Sequence, residues 1–183
     1  MTAGITTGIT AGITAGAVYT TVDSPLGALL LVGEEAPDAP GGVALASLSL
    51  PGQKGGAVVG DGARQAPGAF AEISGQLAEY FAGQRSRFGI AYADGGGTAF
   101  QRRVWRVLEE IPYGTTVSYG EIARRVGTSA AGVRAVGTAI GRNPLLVVRP
   151  CHRVIGADGA LRGYAGGLER KERLLALEGA LGS

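Results

Sequence analysis

The sequence predicts an α/β (α+β) chain in two parts. A small antiparallel sheet with one helix comes first, followed by a mainly helical, winged-helix-like half. Three observations lead there. β-Prone runs at 17–22, 27–32 and 43–50, separated by turn chemistry, precede one amphipathic helical stretch. Asp94-Gly95-Gly96-Gly97 then breaks the chain as a flexible linker does. Beyond it, two capping-box patterns, Thr98 with Gln101 and Ser118 with Glu121, each open a helical run. The expected division is therefore a tail over 1–16, a sheet-and-helix domain over 17–93, a linker over 94–97 and a helical domain over 98–183.

The elements follow in order. The tail repeats Gly-Ile-Thr at Gly4, Gly8 and Gly12, far short of the roughly 20-residue unit a solenoid needs, and reads as loosely attached. Ser24-Pro25-Leu26-Gly27 is turn chemistry between the first two strands, and the Gly- and Ala-rich stretch from Pro51 to Pro67 reads as loop. Phe70, Ile73, Leu77 and Phe81 recur at helical spacing and predict a helix over 69–82, ended by Gly83. In the second half, Phe100, Val104, Trp105, Leu108 and Ile111 form the apolar stripe of a helix stopped by Pro112-Tyr113-Gly114. A short helix to about Val126, a Gly127-Thr128 turn and a helix over 130–140 resemble a helix-turn-helix unit. Gly156-Ala157-Asp158-Gly159 reads as a hairpin turn, and a last helix over 168–177 is expected to bury Leu174, Leu175 and Leu177.

Composition narrows the function. The 33 glycines follow no collagen period, and no apolar run reaches the roughly 18 residues of a membrane span. Residues 1–16 lack the basic start and apolar core of a signal peptide, so a cytoplasmic protein without membrane contact is expected. The formal charge of +2 hides an asymmetry, −4 over residues 1–97 and +6 over 98–183. A basic half fits a polyanionic partner, although a solvated basic face has the same count. One Cys forbids an internal disulfide, and one Cys with one His cannot build a four-ligand Cys/His zinc site.

That single Cys and single His are adjacent, in Pro150-Cys151-His152-Arg153-Val154. A thiol acts as a nucleophile only after losing its proton, so a reactive Cys needs a base or a positive field beside it. His152 is the candidate base and Arg153 a source of positive potential. Neighbours in an extended segment point to opposite sides, however, so contact between Cys151 and His152 needs a tight turn or an intervening water. A base in turn needs an orienting acid, and spacing leaves Glu169, Glu172 and Glu178 open.

Pro150-Cys151-His152-Arg153-Val154-Ile155 resembles the active-site signature of the O6-alkylguanine-DNA alkyltransferases, the methylated-DNA–protein-cysteine methyltransferases. The likeness extends in order through Thr98-Ala99-Phe100-Gln101, Ile111-Pro112-Tyr113-Gly114, Ser118-Tyr119, Arg134-Ala135-Val136-Gly137, Gly141-Arg142-Asn143-Pro144, Gly163 through Leu168 and Leu174 through Gly179. It thus covers residues 98–179 and is weaker over 18–33 and 70–90. The resemblance implies that 98–183 is the DNA-binding and active-site domain. It further implies direct, stoichiometric transfer of an alkyl group from O6-alkylguanine, and of the O4-alkylthymine type if the pocket takes it, onto Cys151.

Carried over residue by residue, Cys151 is the alkyl acceptor, His152 the base acting through a water, and Glu178 the acid that orients it. Asn143 ties the preceding turn to this network, and Tyr119 donates a hydrogen bond to the departing guanine. Arg134 fills the space left by a flipped nucleotide, with Ala135 and Gly137 keeping its helix narrow for minor-groove approach. Val154, Tyr164 and Ala165 line the pocket. No cofactor or metal is implied, the partner is double-stranded DNA carrying the lesion, and the chain is expected to act as a monomer.

The sequence also departs from the family. Arg149 stands where an apolar residue is usual, facing DNA phosphate or pointing outward. Gly132-Val133 precede Arg134 where Ala is commoner, and Ala165 lacks a hydroxyl that some members have. The alternative is a lesion-flagging protein that binds alkylguanine without chemistry. Retention of Cys151 argues against it, and nothing in residues 1–97 resembles the extra DNA-binding module of a methylation-triggered activator.

Overall fold

In the computed structural model, which describes residues 16–93 and 96–181, a four-stranded sheet backed by one helix precedes four further helices and a two-stranded ladder. The Gly-Ile-Thr tail up to residue 15 and residues 94–95 of the expected linker lie outside the described residues. β1 (Ala17–Val22) and β2 (Leu29–Glu35) pair antiparallel, from Ala17 opposite Glu34 to Val22 opposite Leu29. Their turn is the expected one. Gly27 N donates to Ser24 O at 3.0 Å, and Ser24 Oγ accepts from Leu26 N at 3.1 Å and donates to Gly27 O at 2.7 Å.

β3 (Val43–Ser49) joins β2 antiparallel, with a bulge between Val32 and Gly33. A Cβ at Gly33 would sit 2.6 Å from Val43 Cγ1 and 2.8 Å from Ala44 O, so the bulge admits only a bare backbone. The stretch read as loop after Pro51 holds a further strand, β4 (Arg64–Gln65), which pairs parallel with β1 and makes the order β3-β2-β1-β4. Both of its residues are exposed and polar, so no alternation marked it; backbone bonding alone holds it to β1.

α1 (Ala71–Phe81) follows a 3₁₀ turn over Pro67–Phe70, so the predicted helix begins two residues late. Its buried row is Ile73, Leu77 and Tyr80, with Phe81 only half-buried. The predicted apolar stripe was thus one residue out of phase at its end, and the fully buried aromatic is Tyr80.

In the second half, α2 (Ala99–Glu109) carries a complete capping box, Thr98 Oγ1 accepting from Gln101 N at 3.1 Å and Gln101 Oε1 from Thr98 N at 2.9 Å. α3 (Tyr119–Val126) has half of one. Ser118 Oγ accepts from Glu121 N at 3.1 Å, but the Glu121 carboxylate turns to Arg124 and Arg125 instead of back to the cap. A 3₁₀ turn over Ala130–Gly132 leads into α4 (Val133–Gly141). At Gly132 a Cβ would collide with the Thr128 side chain, which accounts for glycine where Ala is commoner. Trp105 Nε1 donates to Ala139 O at 2.8 Å and pins α4 to α2.

The ladder pairs β5 (Val117–Ser118) parallel with β6 (Val154–Ile155). Gly156 to Gly159 close a turn, but no strand returns after it among the described residues, so the expected hairpin does not form. α5 (Leu168–Leu177) lies where predicted and buries Leu174 and Leu175, while Leu177 stays half-buried and Lys171 is buried in its place.

The open edge of β3 fastens the sheet to the second half. Leu48 exchanges backbone bonds with Pro144 and Leu146 at 2.9 and 3.3 Å, and on the same edge Leu45 does so with Ala91 and Ala93, on the segment leading to the linker, at 2.8 and 2.9 Å. One apolar core runs on from Leu31, Leu45, Phe70 and Leu77 to Val104, Leu108, Ile122, Leu146 and Leu174. Among the described residues, no helix is long and apolar enough to cross a membrane. The bulge offers a direct check. Gly33→Ala should destabilise the fold by about 1–3 kcal/mol through overpacking against Val43 and Ala44, measured by urea unfolding.

Candidate active site

The segment that delivers the cysteine is a tight, pinned loop. Asn143, just beyond α4, accepts from Leu145 N at 3.0 Å through Oδ1, and its Nδ2 donates to Arg149 O at 3.1 Å and Leu145 O at 3.4 Å. Two γ-turns follow. Val148 N donates to Leu146 O at 2.8 Å around Val147, and Cys151 N donates to Arg149 O at 2.7 Å around Pro150 (φ −80°, ψ 59°). Val147 is a buried, β-branched residue at φ +71°, a conformation costing about 1–3 kcal/mol. The Asn143 clamp and the bonds of Leu48 to Pro144 and Leu146 hold it there.

Cys151, His152 and Arg153 then form a 3₁₀ turn, the tighter of the two backbone courses considered for this segment. Successive side chains of such a turn point roughly 120° apart, so neighbours need not face opposite sides. His152 and Arg153 both reach the first residue beyond α5. Glu178, with no side-chain exposure, accepts from His152 Nε2 at 2.7 Å, Arg153 Nη2 at 3.2 Å and Tyr80 OH at 2.7 Å through Oε2. Its Oε1 accepts from Arg153 Nε at 2.6 Å, while Arg153 Nη1 donates to Ile111 O at 2.6 Å.

The charges follow from this arrangement. Burial works to raise the Glu178 pKa, but the bonds from His152 and Arg153 outweigh it and bring the carboxyl down to about 2. Glu178 is therefore an anion and accepts only, which puts the proton of a neutral imidazole on Nε2 and a lone pair on Nδ1. Burial lowers the pKa of His152 despite Glu178, so the neutral ring is the resting form. His152 Nδ1 is buried and has no hydrogen-bond partner among the described residues. The Cys151 thiol, 4% exposed, is pushed up to about 11 by burial, with Asn143, Lys171 and Arg149 pulling the other way. At rest it is a thiol.

The β5–β6 ladder sets Tyr119, at the start of α3, beside the strand leaving the cysteine turn. Its hydroxyl donates to Arg162 O at 3.5 Å, and its pKa is raised by burial and by Cys151. Lys171 was not anticipated. Fully buried, its Nζ donates to Val154 O at 2.6 Å, Arg162 O at 2.7 Å and Gly163 O at 3.2 Å, and burial lowers its pKa to about 8. Val154, expected to line the pocket, thus has its carbonyl bonded to Lys171. Tyr164 is half-buried, its buried hydroxyl without a hydrogen-bond partner among the described residues, and Ala165 is half-buried next to it in the chain.

Arg149 meets neither expectation. It points inward, bonds Glu109 Oε1 through Nε at 3.0 Å and lies over the rings of Trp105 and Tyr92 at 5.2 and 5.4 Å. The charge is tolerated because an ion pair and two aromatic faces replace its water. Arg134, Ala135 and Thr138 are exposed on α4, with Gly137 half-buried, along a cleft shared with Thr98, Phe100 and Gln101.

Known proteins show the same framework. Residues 99–180 match the model of the 6-O-methylguanine DNA methyltransferase DNA-binding domain. A methylated-DNA–protein-cysteine methyltransferase of Mycolicibacterium paratuberculosis is 50% identical over 160 residues, covering 87% of this chain and 91% of that protein. The chain belongs to this family. A second methyltransferase, from Methanosarcina acetivorans, is 45% identical over 88% of this chain and 98% of its own length. The crystal structure of Mycobacterium tuberculosis OGT in complex with DNA superposes with a TM-score of 0.79 at 44% identity, covering 89% of this chain and 93% of that one.

Within this methyltransferase, His152, next to Cys151 in the chain, is bonded to Glu178, Asn143 holds the loop that delivers Cys151, and Tyr119 lies near the thiol. Arg134, Ala135 and Gly137 stand apart on α4. Sequence reasoning missed Tyr80, Lys171 and the Arg149–Glu109 pair, and it read Arg153 as positive potential for the thiol, not as the partner of Glu178. The available signal for Lys171 was its place at helical spacing between Leu168 and Leu174–Leu175.

Because folding depresses the Glu178 pKa, its ionised form adds stability that is complete above about pH 4.5 and is lost as pH falls toward about 2. Glu178→Gln should lose about 3–5 kcal/mol at pH 7 by leaving Arg153 buried without its counter-charge. It should also show a flatter acid limb in urea unfolding across that window.

Proposed function

We propose that this chain repairs DNA by transferring the alkyl group of O6-alkylguanine to Cys151, using His152 and Glu178 as a proton relay. The observation that carries this reading is the buried His152–Glu178 pair beside the chain's only cysteine. One ring nitrogen is committed to an ionised carboxylate and the other holds a lone pair. His152 Nδ1 accepts the thiol proton through one water, and Glu178 stabilises the imidazolium that forms.

The bond changes balance. Sγ forms a bond to the alkyl carbon while the carbon–O6 bond breaks, its electron pair passing to the guanine. The leaving base gains a proton at its ring nitrogen, the thiol has lost one, and His152 returns its proton to water. Tyr119 donates a hydrogen bond to the base as charge builds. No group in the site reverses a thioether, so each molecule acts once.

A thiol that is 4% exposed cannot reach O6 inside a duplex, so the nucleotide turns out of the helix. Arg134, exposed on a helix whose nearby positions are small, enters the vacated stack from the minor groove. The chain needs no second copy for this, so a monomer suffices. The site also needs no cofactor.

Exposure to duplex DNA carrying labelled O6-methylguanine should leave one label on Cys151 by intact mass and peptide mapping, and none on Cys151→Ala. Lesion DNA held in a long-lived complex without methyl loss would overturn alkyl transfer and favour lesion flagging. Tyr119→Phe should bind DNA normally and transfer about 10- to 100-fold more slowly, as for one lost hydrogen bond to a developing anion. Arg134→Ala should slow transfer from duplex at least tenfold more than reaction with a free-base analogue; equal losses on both would remove the wedge role.

A further inference from the structure

The Glu178 carboxylate takes four hydrogen bonds, and one of them comes from a residue 98 positions earlier in the sequence. Tyr80, on α1, donates its hydroxyl to Oε2, the oxygen that also accepts His152 Nε2, both at 2.7 Å. Arg153 alone supplies the carboxylate with a two-point cationic partner, so the phenol is not needed to neutralise a buried charge. The Tyr80 ring is fixed by Phe81, Phe88 and Tyr113, with centroids 5.3, 5.2 and 6.2 Å away. Packing therefore sets where the hydroxyl points.

We infer that Tyr80 is a positioning residue for alkyl transfer, tuning through the shared Glu178 oxygen how strongly the carboxylate holds the His152 imidazole. The inference rests on the relay reading above. A carboxylate with few donors is more basic and stabilises imidazolium strongly, which would leave His152 protonated at working pH and unable to take a proton. Each added donor weakens that hold. Burial favours the neutral imidazole; Tyr80 and Arg153, by keeping Glu178 an anion of low basicity, stop the carboxylate from reversing that preference, yet the ring still gains an anionic partner when it is protonated.

The ionisable groups facing this pair are few. Tyr80 comes from α1 and Tyr113 from the turn after α2, while Cys151 and Arg153 belong to the cysteine turn. Tyr164 comes from the segment before α5, and Lys171 from α5 itself. Of these, Tyr80 and Arg153 hydrogen-bond Glu178 alongside His152, and only Tyr80 does so without a charge of its own.

The test uses the full chain, whose only histidine makes its ¹⁵N ring signals unambiguous. Transfer rate against pH and the His152 ¹⁵N titration are measured for wild type, Tyr80→Phe, and a chain with 3-fluorotyrosine at position 80. Loss of the donor in Tyr80→Phe should move the acid limb of the rate and the His152 titration upward together by roughly half to one pH unit. 3-Fluorotyrosine, a stronger donor on an almost unchanged ring, should move both downward, and it carries the test alone if Tyr80→Phe does not fold.

Limb and titration unmoved in the folded variants, whatever the overall rate, would overturn the role of Tyr80 and leave the relay standing. A wild-type limb that does not follow the His152 titration would instead overturn the relay, and this inference with it.

Discussion

Everything in the site turns on one buried carboxylate. Glu178 has no side-chain exposure, and an unpaired anion there would be costly enough to take up a proton instead. It stays charged because donors reach it from two places far apart in the chain, Tyr80 on α1 and His152 with Arg153 in the cysteine turn, while the Ile111 carbonyl just beyond α2 accepts from Arg153 and holds that guanidinium in place. The requirement runs the other way too. These parts meet in one geometry only if the carboxylate is between them, so the group that orients the imidazole also registers the sheet half against the helical half. Stability and chemistry share a residue here, and neither can be adjusted alone.

The loop before the cysteine shows the same coupling on a smaller scale. Val147 holds a backbone conformation that a β-branched residue avoids. What offsets it is bonding at both ends, to the Asn143 side chain and to the open edge of β3. The sheet therefore fixes the path by which Cys151 enters the core, although none of its own side chains is assigned a chemical step. Arg149 braces the same loop from the other side, pairing with Glu109 and stacking on Trp105, which itself holds α4. A charged residue two places before Cys151 thus links the helix carrying Arg134 to the cysteine turn.

Much of this was legible in the sequence, and what was not shares a cause. Capping chemistry and apolar spacing placed α2, α3 and α5 closely, because those signals are local. The Cys151–His152 pair stood out by rarity, but spacing alone left three glutamates open, and only the ordered family motif singled out Glu178. Tyr80 lies 98 residues from its partner and sat one place from the aromatic that seemed to complete the helical stripe, so no local pattern could assign it. β4 was invisible for a different reason: two polar residues on a sheet edge carry no periodicity. Arg149 was misjudged because a charge next to a catalytic residue suggests solvent or ligand, and the sequence cannot show that Glu109, Trp105 and Tyr92 converge to receive it.

The thiol's high resting pKa has a consequence of its own. A protein that acts once cannot recover from a wasted encounter, and a cell holds many small electrophiles and oxidants that consume thiolates on contact. With its proton held up to about 11 and its sulfur almost wholly enclosed, Cys151 is nearly inert toward them. In the proposed mechanism reactivity is withheld until the turned-out base meets the thiol, so the burial that opposes ionisation also conserves each molecule for its single lesion.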